Sequence, residues 1–127
     1  MSKPKTHRLG DLQLKIMQVL WDRTEARVAD VHKSLGESTF AYTTVATMLR
    51  KMEERGLVTH RDEGRSFVYR AGVAADEVTR SMADHLVDRL FEGSLADTVS
   101  HLLRTREVSQ EELLQLERLI GERKKKA

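Results

Sequence analysis

The stretch from Phe40 to Arg70 constrains this chain more than any other. Val45, Leu49 and Met52 recur at helical spacing and would share one face of a helix over 42–55. Thr43, Thr47, Arg50 and Lys51 fall on another face. Gly56 follows where a left-handed helix cap is expected. Leu57 to Arg61 alternates enough for a strand, and Asp62-Glu63-Gly64-Arg65 reads as a turn. Ser66 to Arg70 is β-branched and aromatic, hence a second strand. A helix buried on one side and lined with hydroxyls and cations on the other suits the DNA major groove. The hairpin over 57–70 is then a wing that reaches neighbouring phosphates.

The flanks complete a small domain. Leu9, Leu12, Ile16, Val19 and Leu20 predict a helix beginning near Gly10 or Asp11, with Trp21 near its end. Val28 is read as a very short strand. Asp30 to Leu35 gives a short helix that Gly36 ends. Three helices and a two-stranded hairpin describe a winged helix-turn-helix over residues 1–72. Trp21, Phe67 and Tyr69 are expected in its core rather than as stacking platforms for single-stranded bases.

From Ala74 onward the pattern is helical throughout. Val78, Met82, Leu86 and Leu90 form one stripe, which Ala83, Val87 and Phe91 widen. Gly93 breaks it. Ser94 with Asp97, and Ser109 with Glu112, have the spacing of capping boxes. They open helices carrying Leu95, Val99, Leu102 and Leu103, then Leu113, Leu116, Leu119 and Ile120. Three short helices over 73–127 cannot cover faces this wide by themselves. A second copy would cover them, with Leu86, Leu90, Phe91, Leu95, Val99, Leu102, Leu103, Leu116, Leu119 and Ile120 in the seam. The fold class is therefore mainly α with a small β-hairpin wing, a winged helix-turn-helix followed by a three-helix dimerisation domain.

Charge follows the same division. Residues 1–72 hold thirteen Lys and Arg against nine Asp and Glu, whereas residues 73–127 hold nine against eleven. The half with the candidate recognition helix is the half that attracts phosphate. Cysteine is absent, which excludes disulfides, thiolate metal sites and a cysteine nucleophile. The five histidines show no zinc-ligand spacing. His85 beside Asp84 and Asp88 reads as a solvated helix face, and no metal or cofactor is expected. No Gly-rich phosphate loop, nucleophile elbow or clustered carboxylate–histidine pattern is present, so no enzyme is expected. No apolar run approaches the ~20 residues of a membrane span. The basic start, Met1 to Lys5, has no apolar core behind it, so it is not read as a signal peptide and the expected compartment is the cytoplasm.

Thr43 and Thr44 lie where side chains of a recognition helix first reach base edges, and Thr47 lies one turn on. Their hydroxyls can donate or accept, and their methyls can touch a thymine methyl. Arg50 and Lys51 suit phosphates, or else pair with Glu53 or Glu54 on a solvated face. Arg65 at the wing turn suits the backbone or minor groove. Asp62 and Glu63 beside it would resist close phosphate approach. Lys3, Lys5 and Arg8 form a candidate basic arm. A protein–protein module on the same scaffold, or a regulator with a small-molecule pocket, is the alternative function.

In order along the chain, several segments resemble the penicillinase-repressor family, of the BlaI/MecI/CopY type. They are Leu9-Gly10-Asp11-Leu12 with Leu20-Trp21; Ala41 to Leu49; Lys51 to Val58; Gly64 to Tyr69; Phe91 to Ser94; and Ser109 to Leu113. The resemblance runs from about Arg8 to Ile120. It implies a homodimeric transcriptional repressor on a palindromic double-stranded operator. In one branch of the family a membrane sensor-protease triggers cleavage at an Asn–Phe bond, which aligns here with His101–Leu102. In the copper-responsive branch C-terminal cysteines bind metal, and this chain has none. The inducing signal stays open.

Overall fold

A computed structural model of the chain describes residues 7–127. The elements are α1 (Asp11–Arg23), β1 (Glu25–Arg27), α2 (Val28–Leu35), α3 (Tyr42–Glu54), β2 (Val58–Glu63), β3 (Ser66–Ala71), α4 (Ala75–Phe91), α5 (Leu95–Thr105) and α6 (Gln110–Lys126). The chain divides into two compact units between Asp84 and His85, inside α4.

In the first unit each helix carries one apolar stripe, and the stripes meet. Ile16, Met17 and Leu20 of α1, Val31 of α2, and Val45, Leu49 and Met52 of α3 are buried together. Leu57, Val58 and Tyr69 close the core from the sheet side, and Val78 joins from α4. Each large apolar side chain so buried contributes roughly 1.5–3 kcal/mol before ordering entropy is set against it. The Trp21 indole N–H donates to the carbonyl of Val73 at 2.9 Å, tying the end of α1 to the segment after β3.

The sheet has three strands in the order β1-β3-β2, all antiparallel: the two-stranded hairpin the sequence suggested and a short third strand, which the sequence put at Val28. The extra strand lies at Glu25–Arg27, just before Val28, which opens α2 instead. The Arg27 N–H donates to the Asp30 carboxylate at 3.2 Å, which starts the helix at Val28. Only Ala26 of β1 is buried, so the strand had no alternating pattern to betray it. The hairpin is also tighter than expected. Glu63 pairs with Ser66, which leaves Gly64-Arg65 as a two-residue turn and puts Asp62 and Glu63 in the strand. Gly64 has φ +65°, as a leading Gly in such turns requires.

Phe67 is not in the core. It is 45% exposed, because it lies near the hairpin turn, away from the core cluster. Tyr69, two residues nearer the base, is buried as expected. Gly72 sits against backbone, its N–H donating to the Leu57 carbonyl at 2.8 Å.

The second unit holds the end of α4, then α5 and α6. Ser94 Oγ accepts from the Asp97 N–H at 3.1 Å, and Ser109 Oγ accepts from the Glu112 N–H at 3.1 Å, so both serines cap helices. Gly93 has φ +82° where α4 stops. Thr98 is the buried side chain of this unit, its hydroxyl donating to the Ser94 carbonyl at 2.8 Å. The apolar residues stay open: Leu86, Leu90, Leu95, Leu102, Leu103, Leu119 and Ile120 are exposed, and Phe91, Val99 and Leu116 are partly so.

Candidate nucleic-acid interface

α3 starts without a side-chain cap. The Ala41 carbonyl accepts from the Thr44 and Val45 N–H groups at 3.1 and 3.2 Å. The turn before it is held by His32, whose Nε2–H donates to the Phe40 carbonyl at 2.7 Å. The same imidazole meets the exposed Tyr42 ring edge-on, with centroids 5.7 Å apart. Because Val45, Leu49 and Met52 are 0% exposed, the rotation of the helix is fixed. The opposite face then presents Thr43, Thr44, Thr47, Arg50 and Lys51 to solvent, all of them exposed. The structure thus gathers these five predicted residues on one open surface. Glu53 does not serve Arg50 or Lys51 as an ion-pair partner. Its carboxylate accepts from His60 Nδ1–H at 2.7 Å.

By sequence position Arg55 belongs to the helix expected over 42–55. It instead caps α3 and turns back toward α1, donating to Gln13 Oε1 at 3.2 Å. Gln13 Oε1 also accepts from the Gly10 N–H at 3.1 Å. Gln13 therefore ties the start of α1 to the end of α3.

Arg65 is exposed at the wing turn, as predicted. Glu63 is not a bare negative charge beside it. Arg27 donates to Glu63 at 3.0 Å, Arg61 donates to its other oxygen, and Arg61 also donates to Glu25 at 2.9 Å. The hydrogen bond from Arg61 is the main reason the Glu63 carboxyl titrates below its ordinary value. The same bond, with that to Glu25, holds the Arg61 guanidinium above its own. Asp62 stays exposed, 3.8 Å from His60 Nε2. Lys3 and Lys5 of the candidate arm lie outside the described residues, and Arg8 is exposed. His60, Gln13 and the Arg27–Arg61 pair had no role in the sequence reading. Alternation along β2, which turns His60 toward the same face as Tyr69, was the available signal for the histidine.

The sequence model of the penicillinase repressor family matches residues 9–122. The chain belongs to that family. It is 28% identical to the penicillinase repressor of Bacillus licheniformis over 121 residues, covering 94% of each. It is 34% identical to the transcriptional regulator BlaI of Mycobacterium tuberculosis over 102 residues, covering 78% of this chain and 74% of that one. The solution structure of the DNA binding domain of the repressor BlaI matches with a TM-score of 0.51 at 29% identity, over 59% of this chain and 93% of that domain. Membership of this family makes the chain a transcriptional repressor and not an enzyme, and its first unit is a winged helix-turn-helix. No described helix is long and apolar enough to cross a membrane.

Proposed function

We propose that the chain is a sequence-specific repressor that binds a palindromic double-stranded operator as a homodimer. α3 would enter the major groove, Thr43, Thr44 and Thr47 reading base edges and Arg50 and Lys51 fixing register on phosphates. The wing would rest on the adjacent backbone through Arg65. The observation that carries this reading is the open face of α3, set by the complete burial of Val45, Leu49 and Met52 opposite it. Dimerisation is supported by the second unit, most of whose leucines stay exposed in a single chain. Two recognition helices on one DNA face would then address half-sites about 34–36 Å apart.

The bond aligned with the family cleavage site, His101–Leu102, lies in the interior of α5. A membrane sensor-protease acting there would need the helix to unwind first, because cleavage requires an extended backbone. Fluorescence anisotropy tests the main reading. The probe is duplex DNA from immediately upstream of the chain's own coding sequence, with scrambled duplex as competitor, at two salt concentrations. Tight binding at two protomers per site that resists the scramble is the expected result. Binding no tighter than to the scramble would overturn sequence-specific recognition of that site.

A further inference from the structure

The wing leaves α3 through Arg55, Gly56 and Leu57, with Gly56 at φ +79°. Leu57, Val58 and Tyr69 bury its base. Beyond that base the hairpin projects past the core, as the exposure of Phe67 and Arg65 shows. Something other than apolar burial must therefore set its angle to the recognition helix. One side chain touches all three elements concerned. His60 of β2 stacks on Phe67 of β3, with centroids 4.2 Å apart and planes 25° from parallel. Its Nδ1–H donates to the Glu53 carboxylate on the last turn of α3, with both oxygens at 2.7 Å. Tyr69 lies beneath, 5.5 Å between centroids, and Asp62 approaches Nε2 from its own strand at 3.8 Å. The His60 and Glu53 side chains are 27% and 31% exposed, so solvent screens their contact only in part.

We propose that His60, through Glu53 and Phe67, holds the wing at the pitch that brings Arg65 onto the DNA backbone. It is a positioning residue and makes no DNA contact itself. The inference rests on the DNA-binding reading above. Its logic is preorganisation: a wing already held at the bound angle loses less freedom on binding. A loose wing would leave Arg65 attached to the protein but absent from the phosphate contacts.

The test is a double-mutant cycle on the full chain, read as the salt dependence of binding to the upstream duplex and to a mixed-sequence duplex of equal length. In the wild-type background Arg65→Ala should lower the salt slope by about one. In a His60→Leu background, Arg65→Ala should leave the slope unchanged, because the contact has already been lost. His60→Asn keeps an N–H near the position of Nδ1 as a donor for Glu53 and should restore the wild-type response to Arg65→Ala. Thermal melting shows whether each variant folds. Should His60→Leu fail to fold, Glu53→Ala breaks the same contact from the helix side and takes its place in the cycle. An Arg65→Ala effect of equal size in both backgrounds would overturn the proposal, as would no effect in either. Wild-type protein that binds neither duplex would overturn the DNA-binding reading, and this inference with it.

Discussion

Arg27 of β1 pairs with Glu63 of β2 at 3.0 Å, although β3 lies between their strands. The register explains how. Arg27, Val68 and Arg61 stand in one row across the sheet, and Glu25 and Glu63 flank that row on the same face. Val68 is 6% exposed yet stands apart from the main core. The two arginines flank it in the register, and their charged ends meet the two glutamates. The outer face of the sheet is thus closed by an ion network and the inner face by the core.

This network should show in the acid limb of stability. Glu63 titrates below its ordinary value because it accepts from Arg61 and lies near Arg27. Its contribution is therefore present above the ordinary carboxylate range and is lost as pH falls through the lowered value. Melting temperatures at pH 7 and pH 3 check this. Wild type should lose more between the two than Glu63→Gln does. The groups are exposed, so the difference should be small and should shrink further in high salt. Equal losses in both proteins would mean the network adds nothing to folding.

Gly72→Ala should destabilise the first unit by about 1–3 kcal/mol, the usual cost of forcing a methyl into packed surroundings. A Cβ at Gly72 would lie 2.9 Å from the Gly56 carbonyl oxygen and 3.3 Å from that of Leu57, and both obstacles are backbone. Moving aside would also break the 2.8 Å bond from Gly72 to Leu57. Urea unfolding of the variant checks this, and an unchanged midpoint would show that the two segments can separate without cost.

The open face of α3 could be read from the sequence because one periodicity fixed it: Val45, Leu49 and Met52 point inward, so Thr43, Thr47 and Arg50 must point out. The winged helix followed from the order of such stripes and from Gly56 and Gly64. Features that depend on pairing between distant segments could not be read this way. β1 has one inward residue, too few for a pattern, and exists because β3 offers it an edge. Phe67 and Tyr69 have the same parity and similar chemistry, yet only Tyr69 is buried, because burial depends on how far the core reaches along the hairpin. Glu53 has plausible partners at helical spacing, and the one it takes, His60, comes from the next element.

Thr44→Ala should weaken binding to the operator by ~1 kcal/mol or more while leaving binding to scrambled duplex nearly unchanged. Thr44 is exposed in the first turn of α3, and its backbone N–H is already engaged with Ala41. The substitution therefore removes a hydroxyl and a methyl from the open face without disturbing the helix start. Competition titrations with both duplexes check this. Equal losses on both would assign Thr44 to the backbone rather than to the bases.

Leu90→Asp distinguishes a dimer seam from a solvated helix. Leu90 is 69% exposed in the single chain. Were that its state in solution, an aspartate there would cost almost nothing, and melting and sedimentation would match wild type. In a dimer whose seam includes Leu90, the same carboxylate would be buried among apolar side chains with no partner. The expected outcome is a wild type that sediments as a dimer and a variant that sediments as a monomer. The variant should also bind a single half-site as well as wild type does, since Leu90 lies outside the winged-helix unit, but should lose the gain from joining two half-sites. A dimer of unchanged stability would place the interface elsewhere on the second unit.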